Sequence, residues 1–283
     1  MQPILGKPIA EQLLQTAAER IRSQSVTPGL AAVLVGGDPA SQIYVGLKAK
    51  AAQSVGVYFE KQVLPVTATT TEVQAVVRSL NGRPDIHGII VQLPLPESID
   101  TDKVIETIQP TKDADGFHPE TVARFLTGTS SVPPVFPRAI LALLQNTGVP
   151  LEGKRACVFA NSSLFARVMA IALGRLGVQA DDSLSHTPTE MAAKLGLADI
   201  IITATGNPHS ITGSMVRPGT IIIDGGITRT GEQVMGDADP ESFVGLEGYL
   251  TPVPGGVGPV TVALLIARVT ELALGDNSRE SIL

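Results

Sequence analysis

Residues 155–168 read RACVFANSSLFARV. The apolar first half predicts a strand over 155–161, and the second half opens a helix predicted over 164–176. In doubly wound proteins that bind dinucleotides, this strand-to-helix crossing normally carries glycines that let backbone approach a pyrophosphate. Here Ala160, Asn161 and Ser162 occupy the crossing.

The same alternation extends in both directions. Downstream, strands are expected near 179–185, at 198–205 and at 219–224, with a helix near 188–196. Upstream, a helix over 138–147 comes after the proline-containing stretch Val132–Pro137. Another set precedes that stretch. Ile9, Leu13, Leu14, Ala17 and Ile21 share one face of a helix over 8–23, and LAAVLVG at 30–36 reads as a buried strand. A helix from Ser41, a candidate N-cap, to Val55 comes next, then a strand near 57–64, a helix near 70–81 and the run IHGIIVQLPLP at 86–96. This order predicts an α/β protein with mainly parallel sheets covered by helices. Two domains are expected: residues 1–132 completed by 260–283, and a Rossmann-type domain over 133–259, with a cleft between them. The final helix, 260–273, is assigned to the first domain because the Gly-Pro-rich loop before it carries the most distinctive motif. The tail from Gly275 to Leu283 is expected to fray.

Composition narrows the partners. A net charge of −6 argues against nucleic acid or an anionic membrane as the main partner. The absence of Trp, with few other aromatics, argues against a stacking platform for single strands. The single Cys157 lies inside an apolar run and is expected to be a buried, inert thiol. No basic-then-apolar leader opens the chain and no apolar run is long enough to span a bilayer, so a cytoplasmic location is expected. No metal site is assigned.

Four clusters could carry chemistry. In SQIYVGLK (41–48), Tyr44 and Lys48 share one helix face. A lysine partly withdrawn from water can donate and take back a proton, although such a pair alone is more often merely solvated. In VQLPLP (91–96), Gln92 interrupts an apolar strand just before two prolines. A buried amide needs a partner, which at the carboxyl end of a parallel strand is either a ligand or the next loop. In KDADGFHP (112–119), Asp115 could hold adjacent N–H and amino donors of a heterocycle, although turns are rich in Asp and Gly for conformational reasons alone. His118 reads as structural. In TPVPGGVGPVT (251–261), Pro254, Gly255, Gly256 and Val257 form a loop through which backbone can approach a flat ligand ahead of a helix.

Taken in order, LAAVLVGGDPAS, IYVGLKAKAA, GIIVQLPLP, KDADGFHP, IIIDGGI and YLTPVPGGVGPVTVALLI span nearly the whole chain. Together they resemble the bifunctional methylenetetrahydrofolate dehydrogenase/methenyltetrahydrofolate cyclohydrolase family. The resemblance implies a folate-facing domain, a Rossmann-type domain and a homodimer. It also implies roles: Lys48 as the catalytic lysine, Tyr44 beside the folate, Gln92 supporting the lysine and Asp115 holding the pterin. Pro254, Gly255, Gly256 and Val257 would line the same pocket.

The departures from that pattern lie in the second domain. The family's G-R-S-x-I-V-G-x-P is replaced by Ala160 to Val168, without either glycine or the arginine. Phe136 stands where the family has a small threonine, and the family's H-S pair is changed near Ser185, His186 and Thr187. Ala160, Asn161, Ser162, Phe136, Thr205 and Gly206 are therefore candidates for an altered dinucleotide site, expected to bind NAD(P) poorly and NAD better than NADP. The reading this favours is a tetrahydrofolate enzyme of non-redox chemistry. Lys48 would help open the one-carbon bridge, and the carbon would pass to a second, nucleophilic small molecule or to water. The alternatives are the ordinary NAD(P)-dependent bifunctional enzyme and, from another class, a non-catalytic folate-binding partner subunit.

Overall fold

In the computed structural model, which describes residues 1–181, 188–231 and 233–275, Gly29–Val35 is buried at every position. In chain order the first elements are β1 (Gln2–Pro3), α1 (Gly6–Gln24), β2 (Gly29–Val35), α2 (Pro39–Val55), β3 (Tyr58–Leu64) and α3 (Thr70–Asn81). Next come β4 (Gly88–Val91), α4 (Thr101–Ile105), α5 (Pro119–Leu126), α6 (Val135–Asn146), β5 (Arg155–Ala160) and α7 (Ser163–Gly174). The chain continues through β6 (Gln179–Asp181), α8 (Pro188–Leu195), β7 (Ile200–Ala204), β8 (Thr220–Asp224) and β9 (Thr228–Thr230). The last elements are β10 (Gln233–Met235), β11 (Gly248–Leu250) and α9 (Val257–Ala273).

One compact unit comprises Glu11–Val135 and the chain from Val262 onward. Its three parallel strands run in the order β3-β2-β4, so the apolar β2 is central. Ala31, Val33 and Val35 from β2 pack with Val73, Val77 and Leu80 of α3 in one core. Thr69 and Glu72 form a capping box that starts α3. The cap of α2 is Asp38 and not Ser41. Its carboxylate accepts the Ser41 N–H at 2.7 Å, and Pro39 needs no partner at the first helical position.

The second unit comprises Met1–Ala10 and Phe136–Thr261. Its sheet is parallel throughout, in the order β1-β11-β8-β7-β5-β6. Ala166, Val168, Met169, Ala172 and Leu173 of α7 are buried in this unit. The antiparallel hairpin β9–β10 stands apart from the sheet. Two expectations about domain membership change here. The first ten residues belong to the second unit, because β1 adds in parallel to β11 and Ile4 N–H continues the ladder to Leu250 O at 2.9 Å. The later boundary falls inside α9, after Thr261.

Candidate active site

Lys48 sits on α2, the helix that follows β2 in the chain, and Gln92 comes immediately after β4, the strand beside β2 in the first unit. The strand ends at Val91, one residue before Gln92, yet the Gln92 N–H still reaches Val33 O at 2.9 Å. The Gln92 side chain is thus fixed at both ends. Its Nε2 donates to Leu93 O at 2.8 Å, which leaves Oε1 to accept from Lys48 Nζ at 3.0 Å. A neutral acceptor orients the ammonium without adding a second charge. Lys48, Tyr44 and Gln92 are all half-buried, so the group is sheltered yet open to a ligand.

Asp115 joins this group electrostatically. Burial pushes its carboxyl above the ordinary range, the Lys48 charge pulls it back, and Asp113 pushes it further up. Among the described residues no donor reaches its carboxylate, so both oxygens remain available as acceptors. Its neighbour Asp113 has the opposite character, and sequence reasoning missed it. Asp113 is buried and its carboxylate accepts Gly116 N–H at 3.0 Å, Phe117 N–H at 3.2 Å and His118 N–H at 2.9 Å. The turn that carries Asp115 is therefore folded around Asp113. Gly116 is required in that turn, having φ +83° and a Cβ position 2.8 Å from Pro134 Cα. His118 is structural, as expected: its Nδ1 caps α5 by accepting Glu120 N–H at 3.0 Å.

In the second unit, Pro254, Gly255 and Gly256 form the loop before α9, and Val257 is the helix's first residue. Gly6 N–H donates to Gly255 O at 2.8 Å, which ties this loop to the N-terminal segment. At the 155–168 crossing, Ser162 caps α7 by accepting Phe165 N–H at 3.3 Å. Asn161, Ser162, Ser163 and Leu164 are exposed, so the start of α7 presents backbone N–H groups at the carboxyl edge of the sheet. The alanines that replace glycine do not cover it. Ala160 is 8% exposed and Ala166 0%, so their β-carbons lie in the unit's own interior. The burial of these two alanines does not support the expected obstruction of a pyrophosphate, and the exposed start of α7 leaves its N–H groups accessible to an anion. The Phe136 ring lies against Gly225, just after β8, and its centroid is 5.2 Å from that of Phe165. The changed positions Ser185, His186 and Thr187 lie outside the described residues.

Two carboxylates that sequence reasoning missed lie behind this edge. Asp224 and Asp237 are buried, and both accept backbone N–H groups. Burial pushes the Asp224 carboxyl from 3.8 up to about 6; Asp237 adds to the rise and the N–H groups of Ala238, Asp237 and Gly226 oppose it. Between these values the folded chain retains a proton that the unfolded chain has released. The contribution of Asp224 to stability is thus greatest below pH 3.8 and is lost as pH rises through about 6. Asp224→Asn is expected to flatten that part of the stability curve, measured as urea midpoints at about pH 4 and about pH 7. The Cys157 thiol, pushed up to about 11 mainly by burial, is inert as expected.

Residues 4–115 match the family model for the tetrahydrofolate dehydrogenase/cyclohydrolase catalytic domain, and residues 134–277 match that family's NAD(P)-binding domain. The chain belongs to the tetrahydrofolate dehydrogenase/cyclohydrolase family. It is 40% identical over 273 residues to the bifunctional protein FolD of Geotalea uraniireducens, covering 95% of this chain and 97% of that one. The corresponding protein of Moorella thermoacetica is 41% identical over 273 residues, with the same coverage. The FolD methylenetetrahydrofolate dehydrogenase/cyclohydrolase of Campylobacter jejuni superposes with TM-score 0.90 at 36% identity, over 97% of this chain and 99% of that one. The Trypanosoma brucei dehydrogenase-cyclohydrolase, solved with NADP cofactor and an inhibitor, gives TM-score 0.90 at 29% identity, over 96% and 97%. The chain is thus a one-carbon folate enzyme with an NAD(P)-binding domain. Among the described residues no helix is long and apolar enough to cross a membrane, and no cluster of His, Cys, Asp and Glu is suited to a metal ion.

Proposed function

We propose that the chain is a bifunctional enzyme that oxidises 5,10-methylenetetrahydrofolate and hydrolyses the resulting 5,10-methenyl compound to 10-formyltetrahydrofolate. The observation that carries this reading is the Lys48 Nζ–Gln92 Oε1 bond of 3.0 Å. It stands beside the available Asp115 carboxylate, in a chain matched by both domains of the family. The non-redox reading favoured by the sequence gives way to this one. The Geotalea and Campylobacter relatives are named as bifunctional, and the two buried alanines leave the start of α7 clear.

Bound NAD(P)+ would supply the hydride acceptor for the first reaction. Asn161, Ser162 and the loop Thr205–Gly206 would hold it, with no cationic side chain at Asn161 to favour a 2′-phosphate. Phe136 would border that site. In the second reaction water adds to the methenyl carbon, and the carbon–nitrogen bond on one side then breaks. As the neutral amine Lys48 would take a proton from the adding water, and as the ammonium so formed it would return one to the departing nitrogen, with Gln92 Oε1 accepting an Nζ–H in either form. Tyr44, one turn earlier on α2, would pack against the folate. Asp115 would accept two pterin donors, and the assignment of Pro254–Val257 to the substrate rests on the family motif.

Asp115→Ala is expected to weaken folate binding by about ten- to a hundredfold, because donors matched to a carboxylate lose their acceptor. Titration calorimetry with a tetrahydrofolate analogue measures this, and unchanged affinity would remove Asp115 from the site. One observation favours a second reading, in which the enzyme keeps only folate chemistry: the Phe136–Phe165 pair at the sheet edge. Calorimetric titration of NADP and NAD into the wild-type protein separates the two. Micromolar binding supports the bifunctional enzyme, and folate binding without dinucleotide binding supports the second reading.

A further inference from the structure

We infer that Asp237, interlocked with Asp224, is the positioning residue for the dinucleotide-binding loop Thr205–Asn207. This inference rests on the dehydrogenase half of the proposed function. The loop comes after β7 at the carboxyl edge of the parallel sheet, where ligands of such sheets bind. It also lies beside the start of α7, because Asn161 Nδ2 donates to Thr205 O at 3.3 Å. Within the loop Asn207 N–H reaches Thr205 Oγ1 at 3.2 Å, and Thr228 Oγ1–H donates to Gly206 O at 3.0 Å. The loop's backbone N–H groups at Thr205 and Asn207 both converge on a carboxylate 30 or more residues further along the chain.

Asp237 is 0% exposed. Its Oδ2 accepts Thr205 N–H at 2.7 Å and Thr203 Oγ1–H at 2.5 Å, and its Oδ1 accepts Asn207 N–H at 2.9 Å. The backbone on either side of Gly206 is thus drawn onto one buried anion. Asp237 is itself held by Asp224, which accepts Asp237 N–H at 3.2 Å and Ala238 N–H at 2.8 Å, and also Gly226 N–H at 2.9 Å. The glycines opposite complete the lock. A β-carbon at Gly226 would overlap the Asp237 carboxylate, and one at Gly236 would overlap that of Asp224. Each carboxylate fills the space a side chain would take at the glycine it faces. The ends of β7 and β8 are thereby fixed to each other by hydrogen bonds to charged groups, the stronger kind.

Asp237→Asn keeps the size of the side chain but turns an amide donor towards an N–H or hydroxyl that needs an acceptor. Two measurements on the full-length protein read the result. Amide hydrogen exchange at Thr205 and Asn207 should accelerate by about tenfold or more, with little change at β5. The Kd for NADP or NAD should rise by about tenfold or more, while methenyl hydrolysis, which depends on Lys48, stays within about twofold. Thr203→Val keeps the carboxylate and removes one of its donors, so it should give the same pattern with smaller size even where the asparagine variant fails to fold. Unchanged exchange at Thr205 and Asn207 would overturn the inference, as would parallel losses of hydrolysis and dinucleotide affinity. Failure of the wild-type protein to bind either dinucleotide would refute the dehydrogenase reading instead, and the exchange data would still decide whether Asp237 holds the loop.

Discussion

Lys48→Met is expected to lower hydrolysis of 5,10-methenyltetrahydrofolate by about a thousandfold or more, the scale of a lost general acid–base group. Methionine keeps the length and the apolar stem of lysine while removing the ammonium that donates to Gln92 Oε1. Folate affinity should stay within about tenfold, or about 1.4 kcal/mol, because Asp115 and the turn that carries it are untouched. The expected signature is a fall in kcat with little change in KM, as for an interaction realised in the transition state. Near-normal turnover would place the chemistry elsewhere and leave the family resemblance describing only the fold.

Asp113→Ala should produce the largest loss of stability among single changes near the site. The buried carboxylate accepts N–H groups from Gly116, Phe117 and His118, and alanine provides no acceptor for any of them. Hydrogen bonds to charged groups contribute about 1.5–3 kcal/mol each but are not additive, so a loss of about 3–4 kcal/mol is expected. It would be measured as a fall in Tm, with folate binding lost in parallel because Asp115 rides on the same turn. Asp113→Asn retains one oxygen, which can serve Gly116 and Phe117 but not His118, and should fall between. A Tm within the range of ordinary surface substitutions would show that the turn does not depend on this carboxylate.

The contrast between Asp113 and Asp115 shows where the sequence was legible. In KDADGFHP both aspartates read alike, and only Asp115 was selected. The difference lies in which one the backbone wraps, a matter of turn geometry that composition does not carry. Central strands such as β2 and β5 were visible because burial on both faces writes a continuous apolar run. β1, β11 and the β9–β10 hairpin were not, since two- and three-residue strands leave no period to detect. That also explains why the sequence alone assigns the first ten residues to the other unit. Lys48, Tyr44, Gln92 and Asp115 stand out as candidates because each lies in a motif with a chemical reason for its residue type. Asp224 and Asp237 do not, because their partners are backbone N–H groups distant in sequence. At 160 and 166 the sequence shows alanine for glycine but not how deeply each residue is buried. A buried β-carbon takes little of the surface a ligand at the helix end would meet, and burial is read only from the fold.

The most direct test supplies the wild-type protein with 5,10-methylenetetrahydrofolate and either NADP+ or NAD+, and monitors reduced nicotinamide and 10-formyltetrahydrofolate in the same sample. A bifunctional enzyme gives both products, and Lys48→Met stops formation of the formyl compound. Consumption of the folate with no reduced nicotinamide from either dinucleotide, at any concentration that saturates the folate site, would contradict the dehydrogenase–cyclohydrolase assignment.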